Sequence, residues 1–191
     1  MVPDVLQTPR LILRRWREAD AAELLPILEA NVGHLRGWIP THVADPVPYE
    51  QMVGRIERFV AAFDAGREWR YALFSADARR LIGEVSLFPR IASKRVSFDA
   101  ADHIEIGYWL RADATGQGYA TEAARAAMNL ALSLPNISRV SIHCDERNAA
   151  SAALPRRLGF RLATTIEEPS CRLQIWEYAP PPSGGNDPEL S

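Results

Sequence analysis

Residues 104–122 constrain the fold more than any other stretch. Ile104-Glu105-Ile106-Gly107-Tyr108-Trp109-Leu110 reads as a strand. Thr115-Gly116-Gln117-Gly118-Tyr119-Ala120-Thr121-Glu122 then opens a helical run that lasts to Leu134, before Pro135. A strand that feeds a helix through a short loop implies a crossover, and so a parallel strand pair. The loop also has a chemical meaning. The first N–H groups of a helix lack partners and its dipole is positive there, which suits an anion. Gly116 and Gly118 carry no Cβ, so a phosphate can approach the backbone. A plain strand-to-helix turn with two glycines explains these eight residues equally well. No Gly-Lys-Ser/Thr follows, so this is not a Walker loop, and a third glycine at dinucleotide-fingerprint spacing is missing.

The rest of the chain reads as one mixed α/β domain. Leu11–Trp16 is a first strand, with Asp20 as an N-cap before a helix over Ala21–Asn31 that Pro26 should bend or split. The stretch 34–49 is irregular. Met52, Ile56, Phe59, Val60 and Phe63 recur at helical spacing, with Gly66 as a cap. Trp69–Ser75 and Leu81–Phe88 are strands, and 91–102 is a polar, mobile loop. After the 119–134 helix come a strand over Arg139–Cys144, a short helix over Asn148–Leu158 and a hairpin-like pair over 161–166 and 171–178. The domain spans 1–179, and the proline- and glycine-rich residues 180–191 read as a disordered tail.

The 191 residues are 47% hydrophobic with a formal net charge of −2, which suits a packed core and demands neither nucleic acid nor an anionic membrane. No apolar run approaches a membrane span and no targeting segment is visible. Cys144 and Cys171 read as two buried or free thiols of a cytoplasmic protein, with a disulfide between them as the alternative. His143-Cys144-Asp145-Glu146 contains ligand types, but strand neighbours point to opposite faces, so no metal site is expected.

Four patterns in order resemble the GNAT superfamily of acetyl-CoA-dependent N-acetyltransferases, in the branch of the RimJ/RimL ribosomal-protein N-terminal acetyltransferases. They are Thr8-Pro9-Arg10-Leu11-Ile12-Leu13-Arg14; His34-Leu35-Arg36-Gly37-Trp38-Ile39-Pro40; Glu105–Leu110 with Gly116-x-Gly118-Tyr119-Ala120-Thr121-Glu122-Ala123; and Asn148-x-x-Ser151 with Leu158-Gly159-Phe160. The resemblance covers Thr8 to Tyr178. It implies the GNAT fold, a central mixed sheet of about seven strands flanked by about four helices. It implies acetyl-CoA as cosubstrate, no metal, and an amine acceptor that is either a protein N-terminus or a small molecule. It leaves a homodimer open. A departure is Thr115, where the family usually has Arg or Gln.

By the same resemblance, Gly116, Gln117, Gly118, Tyr119, Ala120 and Thr121 bind the diphosphate, backbone near Tyr108, Trp109 and Leu110 meets the pantetheine arm, and Asn148 bonds that arm besides capping its helix. Gly107 marks a strand bulge. The chemistry needs a neutral amine, a stabilised oxyanion and a held thiolate. Glu105, a carboxylate in an apolar strand, is the candidate base or ammonium anchor, unless it is only an ion-paired glutamate. His103 shares its face and either assists or lies solvated in a loop. Many family members place a Tyr thiol donor seven residues after the Asn; here that position is Pro155. Ser151 is left to place the sulfur or protonate it. Trp38 is the candidate wall of the acceptor pocket. A non-catalytic acyl-CoA-binding module on the same fold is the alternative, and the acceptor itself is not identified.

Overall fold

The structure, a computed structural model, describes residues 2–180. The tail expected over 180–191 lies, apart from Pro180, outside those residues. Strands β1 (Val5–Gln7) and β2 (Leu11–Arg15) lead into helices α1 (Ala21–Leu35), α2 (Thr41–Ala44) and α3 (Tyr49–Asp64). Strands β3 (Trp69–Ser75), β4 (Leu81–Ile91) and β5 (Lys94–Arg95) precede β6 (His103–Leu110). Then come α4 (Tyr119–Ser133), β7 (Arg139–Asp145), α5 (Ala149–Arg157), β8 (Arg161–Glu167) and β9 (Arg172–Tyr178).

The described strands form one sheet in the order β1-β2-β3-β4-β6-β7-β9-β8, with β5 attached to β4. Every pairing is antiparallel except β6 with β7, which the α4 crossover joins in parallel. This is the expected mixed α/β sheet, with nine strands and five helices among the described residues. The surplus is small: β1, β5 and α2 are two to four residues long.

Side-chain direction along β6 divides the molecule. Ile104, Ile106, Tyr108 and Leu110 belong with the core under α4 and α5, which includes Ala123, Ala124, Ala127 and Ala131. Those alanines let α4 lie close on the sheet. Trp109 belongs to the core under α1 and α3, with Trp16, Leu24, Leu28, Met52 and Ile56.

Four local expectations change. Helix α1 runs unbroken through Pro26 and on to Leu35. Proline costs about 3 kcal/mol inside a helix, but burial of Leu24, Ile27, Leu28 and Leu35 contributes about 1.5–3 kcal/mol each. Asp20 does not cap α1 with its side chain. Its carboxylate is taken by both Arg14 guanidinium nitrogens, at 2.7 and 2.8 Å, and by the Arg17 amide at 2.8 Å. The segment 91–102 is not a featureless loop, because β4 continues to Ile91 and folds back onto Lys94–Arg95. Finally, Gly107 is not a bulge: the β4–β6 register runs unshifted from His103 to Leu110. Glycine leaves room there for the Phe88 ring, since a Cβ would stand 3.0 Å from it, a tight contact.

Candidate active site

The irregularity expected at Gly107 appears instead between β6 and β7. Their ladder pairs His103 with Arg139, Ile104 with Val140 and Glu105 with Ser141, and goes no further. Beyond that point β7 continues to Asp145 against β9 alone, while β6 continues to Leu110 against β4. The two strands splay, and residues 106–110 have no strand partner on the β7 side. A cleft of about 1220 Å³ runs through this split, from the start of α4 to the strand face under α1 and α3.

The α4/α5 side of the cleft is made mostly of backbone. Gly118 begins α4 at φ +82°, with no side-chain cap, and Gly116 stands at φ +74°. The first backbone bond at the start of α4 runs from Glu122 N to Gly118 O at 3.0 Å, so the amides of Tyr119, Ala120 and Thr121 are left for a ligand. Gly116, Gly118, Tyr119, Ala120 and Thr121 all line the cleft, as do Tyr108, Trp109 and Leu110. Gln117 does not: its amide donates to Asp113 O at 3.0 Å, away from the cleft. An uncapped, glycine-opened helix start of this kind fits a diphosphate.

The Thr8-Pro9-Arg10 segment gains a role that its sequence did not reveal. Thr8 Oγ1 donates to Glu122 at 2.6 Å, and Arg10 Nε donates to the same carboxylate at 2.6 Å. Arg10 also donates to Gln117 O at 2.8 Å, and its guanidinium lies 3.3 Å from where a Gly118 Cβ would be. The turn between β1 and β2 thus clamps the loop and brings a cation beside it. Thr115, meanwhile, only closes its own turn on Ala112 O at 2.7 Å.

Asn148 caps α5, its Oδ1 accepting from Ser151 N at 3.0 Å. Ser151 Oγ stands 2.9 Å from the Tyr108 hydroxyl, and both residues line the cleft. Pro155 explains part of this contact. It has no N–H for the carbonyl four residues back, and that Ser151 carbonyl instead accepts from Tyr108 Oη at 3.3 Å. The residue that displaces the usual helix tyrosine therefore also opens a seat for a strand tyrosine. Burial pushes the Tyr108 phenol well above its ordinary range, so it remains a protonated donor. Cys144 also lines the cleft, with its thiol pushed up by burial.

The α1/α3 side is made of side chains. Register places Arg70 opposite Ser86, Glu84 opposite Trp109 and Phe88 opposite Glu105, so all of them share one face. Ser141 lies opposite Glu105, which puts His143 on that face too. Glu84, only 3% exposed, accepts from Trp16 Nε1 at 2.8 Å, Arg70 Nη1 at 2.7 Å and Ser86 Oγ at 2.8 Å. Arg70 also holds Glu68 at 2.8 Å and packs between the Phe59 and Phe88 rings. Trp38, 47% exposed, stands on the rim between α1 and α2.

Glu105 lines the cleft as expected, but its carboxylate is ion-paired with Arg90. The guanidinium holds the carboxylate in place on the cleft wall. His143 Nδ1 lies 3.7 Å from the same Glu105 oxygen and also lines the cleft. Sequence reasoning weighed His143 only as a metal ligand, and among the described residues no group of three or more His, Cys, Asp or Glu is placed to hold a metal ion. Only register shows His143 meeting Glu105. His103 goes the other way. It is neither solvated nor in the cleft: it is 4% exposed, bonded to Asp102 and 3.3 Å from Arg139.

A family model described as an acetyltransferase (GNAT) domain matches residues 10–161. The probable N-acetyltransferase YjcK of Bacillus subtilis is 26% identical over 156 residues, covering 82% of this chain and 83% of that one. Among solved structures, RimL, a ribosomal L7/L12 alpha-N-protein acetyltransferase in complex with coenzyme A, has a TM-score of 0.78 at 20% identity, over 92% of this chain and 97% of that one. MccE, a microcin C7 self immunity acetyltransferase in complex with acetyl-CoA and AMP, has a TM-score of 0.77 at 20% identity, over 90% and 93%. At such identities the structures speak for the fold; the family model, which matches most of the chain, speaks for descent. The chain therefore belongs to the GNAT acetyltransferases, enzymes of acyl transfer.

Proposed function

We propose that this protein transfers the acetyl group of acetyl-CoA to a primary amine by direct attack, the acceptor being a protein N-terminus or a small molecule. The observation that carries this reading is the split between β6 and β7, which joins a helix-start anion site on one face to a polar pocket on the other. The relatives agree with it: RimL acts on a ribosomal protein, and MccE was solved with acetyl-CoA and AMP.

In this reading the amides of 119–121 receive the diphosphate, with Arg10 as the nearby cation. The pantetheine arm passes Asn148 and enters the split, where unpaired backbone of 106–110 polarises the thioester carbonyl. The amine arrives from the α1/α3 face, past Trp38, and Glu105 attracts it as an ammonium. Nitrogen forms its bond to the carbonyl carbon, the C–S bond breaks, and sulfur leaves beside Tyr108 and Ser151. Both are weak acids. Their hydroxyls hold the thiolate by hydrogen bonds, and water delivers the proton.

The experiment is acetyl transfer from acetyl-CoA to a panel of N-terminal peptides, polyamines and aminoglycosides, followed by thiol release and product mass. One or more acceptors should gain an acetyl group without an acetyl-enzyme intermediate. Tight acetyl-CoA binding with no transfer to any amine would return the protein to a non-catalytic acyl-CoA-binding role.

A further inference from the structure

We infer that His143 is the proton acceptor of the reaction, and that Glu105, held by Arg90, is a positioning residue that draws the ammonium to it. This rests on the acyl-transfer reading above. The argument begins with where the split opens. The last β6–β7 pair is Glu105 with Ser141, so His143 is the next residue of β7 to face the α1/α3 side. It stands where an amine reaching into the split would meet the thioester. Its side chain is 21% exposed, enough to touch substrate and too little to be freely solvated.

The partners divide the work. A base must be unprotonated yet able to hold a proton near the working pH. The Glu105 carboxylate is ion-paired with Arg90, which fixes it as an anion at the cleft wall that can draw a cation. His143 has the opposite character. Burial lowers its affinity for a proton, and so do Arg90 on β4 and His103 on β6, while Glu105 on β6 and Glu177 on β9 raise it. The net direction is down, so the ring is neutral at neutral pH with a free lone pair. On its own strand, Arg139, Ser141 and Asp145 alternate onto the same face: Ser141 is uncharged, Arg139 lies 3.8 Å from Glu177, and Asp145 is paired with Arg147. The 3.7 Å gap between His143 Nδ1 and Glu105 leaves room to adjust when a cation arrives.

The protons balance as follows. The ammonium gives one proton to His143, which passes it to solvent. The lone pair left behind forms the N–C bond, the C–S pair departs on sulfur, and the second nitrogen proton neutralises the thiolate through water. No oxidant or metal is needed.

The test uses the full chain, acetyl-CoA and the best acceptor of the amine panel, with kcat and KM measured across pH. His143→Gln should lower kcat at neutral pH on the order of a hundredfold, with acetyl-CoA affinity unchanged, and should remove the acidic limb of the profile. Added imidazole should restore part of the rate in His143→Ala. Glu105→Gln should raise the acceptor KM and keep an acidic limb, moved to lower pH because the anion that supports the imidazolium is gone. A His143→Gln enzyme within about threefold of the parent, limb intact, overturns the assignment. So does a limb that vanishes in Glu105→Gln and persists in His143→Gln. Should the histidine variants misfold, imidazole NMR of the unmodified chain decides: His143 must titrate with the midpoint of the kcat limb, and a different midpoint overturns the proposal. An unmodified chain that acetylates no amine overturns the acyl-transfer reading itself, whereas transfer that ignores His143 overturns this inference alone.

Discussion

On the α4/α5 side of the split the site is assembled mostly from short continuous pieces, 108–121 and 148–151, with Thr8 and Arg10 brought in from the β1–β2 turn, and its chemistry is mainly backbone amides, glycines and a cap. On the α1/α3 side it is assembled from single side chains on four strands: Arg70 on β3, Glu84 and Phe88 on β4, Glu105 on β6 and His143 on β7. The first side depends on conformation and tolerates many side chains. The second tolerates backbone variation poorly, because register decides which side chains meet, and it tolerates little change of charge. A common cosubstrate can be bound by the first kind of surface. A particular acceptor needs the second.

The largest effect is expected where charge is most deeply buried. Arg70 and Glu84 are 5% and 3% exposed as side chains, and each is the other's partner at 2.7 Å. Arg70→Met removes one charge and leaves the other with only neutral donors. Urea denaturation should show a loss of about 3–5 kcal/mol. A loss below about 1 kcal/mol, the range of a surface pair, would show that the α1/α3 face is not held by this charge pair and would weaken the contrast.

The opposite side should break through its backbone. Gly118→Val places a branched side chain beside Arg10 at φ +82°, a region that costs an L-residue roughly 1–2 kcal/mol. Beyond that strain, acetyl-CoA affinity measured by calorimetry on folded protein should fall at least tenfold, about 1.4 kcal/mol. Equal affinity in variant and parent would remove 116–121 from the binding site. Gly37→Ala, with open space and no positive φ, is the control and should change neither quantity.

The meeting point of the two sides gives a smaller effect. Ser151→Ala removes one hydroxyl but leaves Tyr108 at the same place, so turnover should fall by less than about tenfold. Tyr108→Phe should behave similarly, and the double variant should lose more than the product of the two, since each hydroxyl covers for the other. A collapse of turnover in Ser151→Ala alone, with CoA affinity intact, would make Ser151 the sole acid.

The same contrast explains what could be read from the chain. The crossover at 104–134, the two α4-loop glycines and the Asn148 cap are local, and each declared itself within one window of sequence. Loci that depend on pairing did not. Gly107 read as a bulge because mid-strand glycine often is one; here it serves the Phe88 ring across β4. His103 and Glu105 share a face, yet one is buried beside Asp102 and the other opens onto the cleft, because β7 parts from β6 just beyond Glu105. His143 was visible as a residue, but its neighbour was not, since that depends on a parallel register set 36 residues apart by His103 and Arg139. Pro155 was legible as a missing phenol. That it also frees a carbonyl for Tyr108 follows only from the folded helix.

The smallest effect concerns acid. Histidines of the cleft, His34, His42 and His143, belong to α1, α2 and the strand face below them, whereas the residues of the α4 loop and the α5 cap include none. His42 and His143 both bind protons less readily when folded. Burial is the first cause in each, joined at His42 by the fields of Arg70, Arg95 and Arg55, and at His143 by Arg90 and His103 against the opposing pull of Glu105. A depressed histidine means the unfolded chain takes up more protons as pH falls below the ordinary value of 6.5. Stability should therefore decline from about pH 7 toward about pH 5.5, before the carboxylates begin to titrate. The decline should be carried by the α1/α3 side. In thermal melts, His42→Gln with His143→Gln should flatten Tm across that window and leave the parent's Tm at pH 7.5 or so nearly unchanged. A slope that persists in the double variant would place the acid sensitivity elsewhere in the molecule, and would deny that the charge-rich face is also the pH-sensitive one.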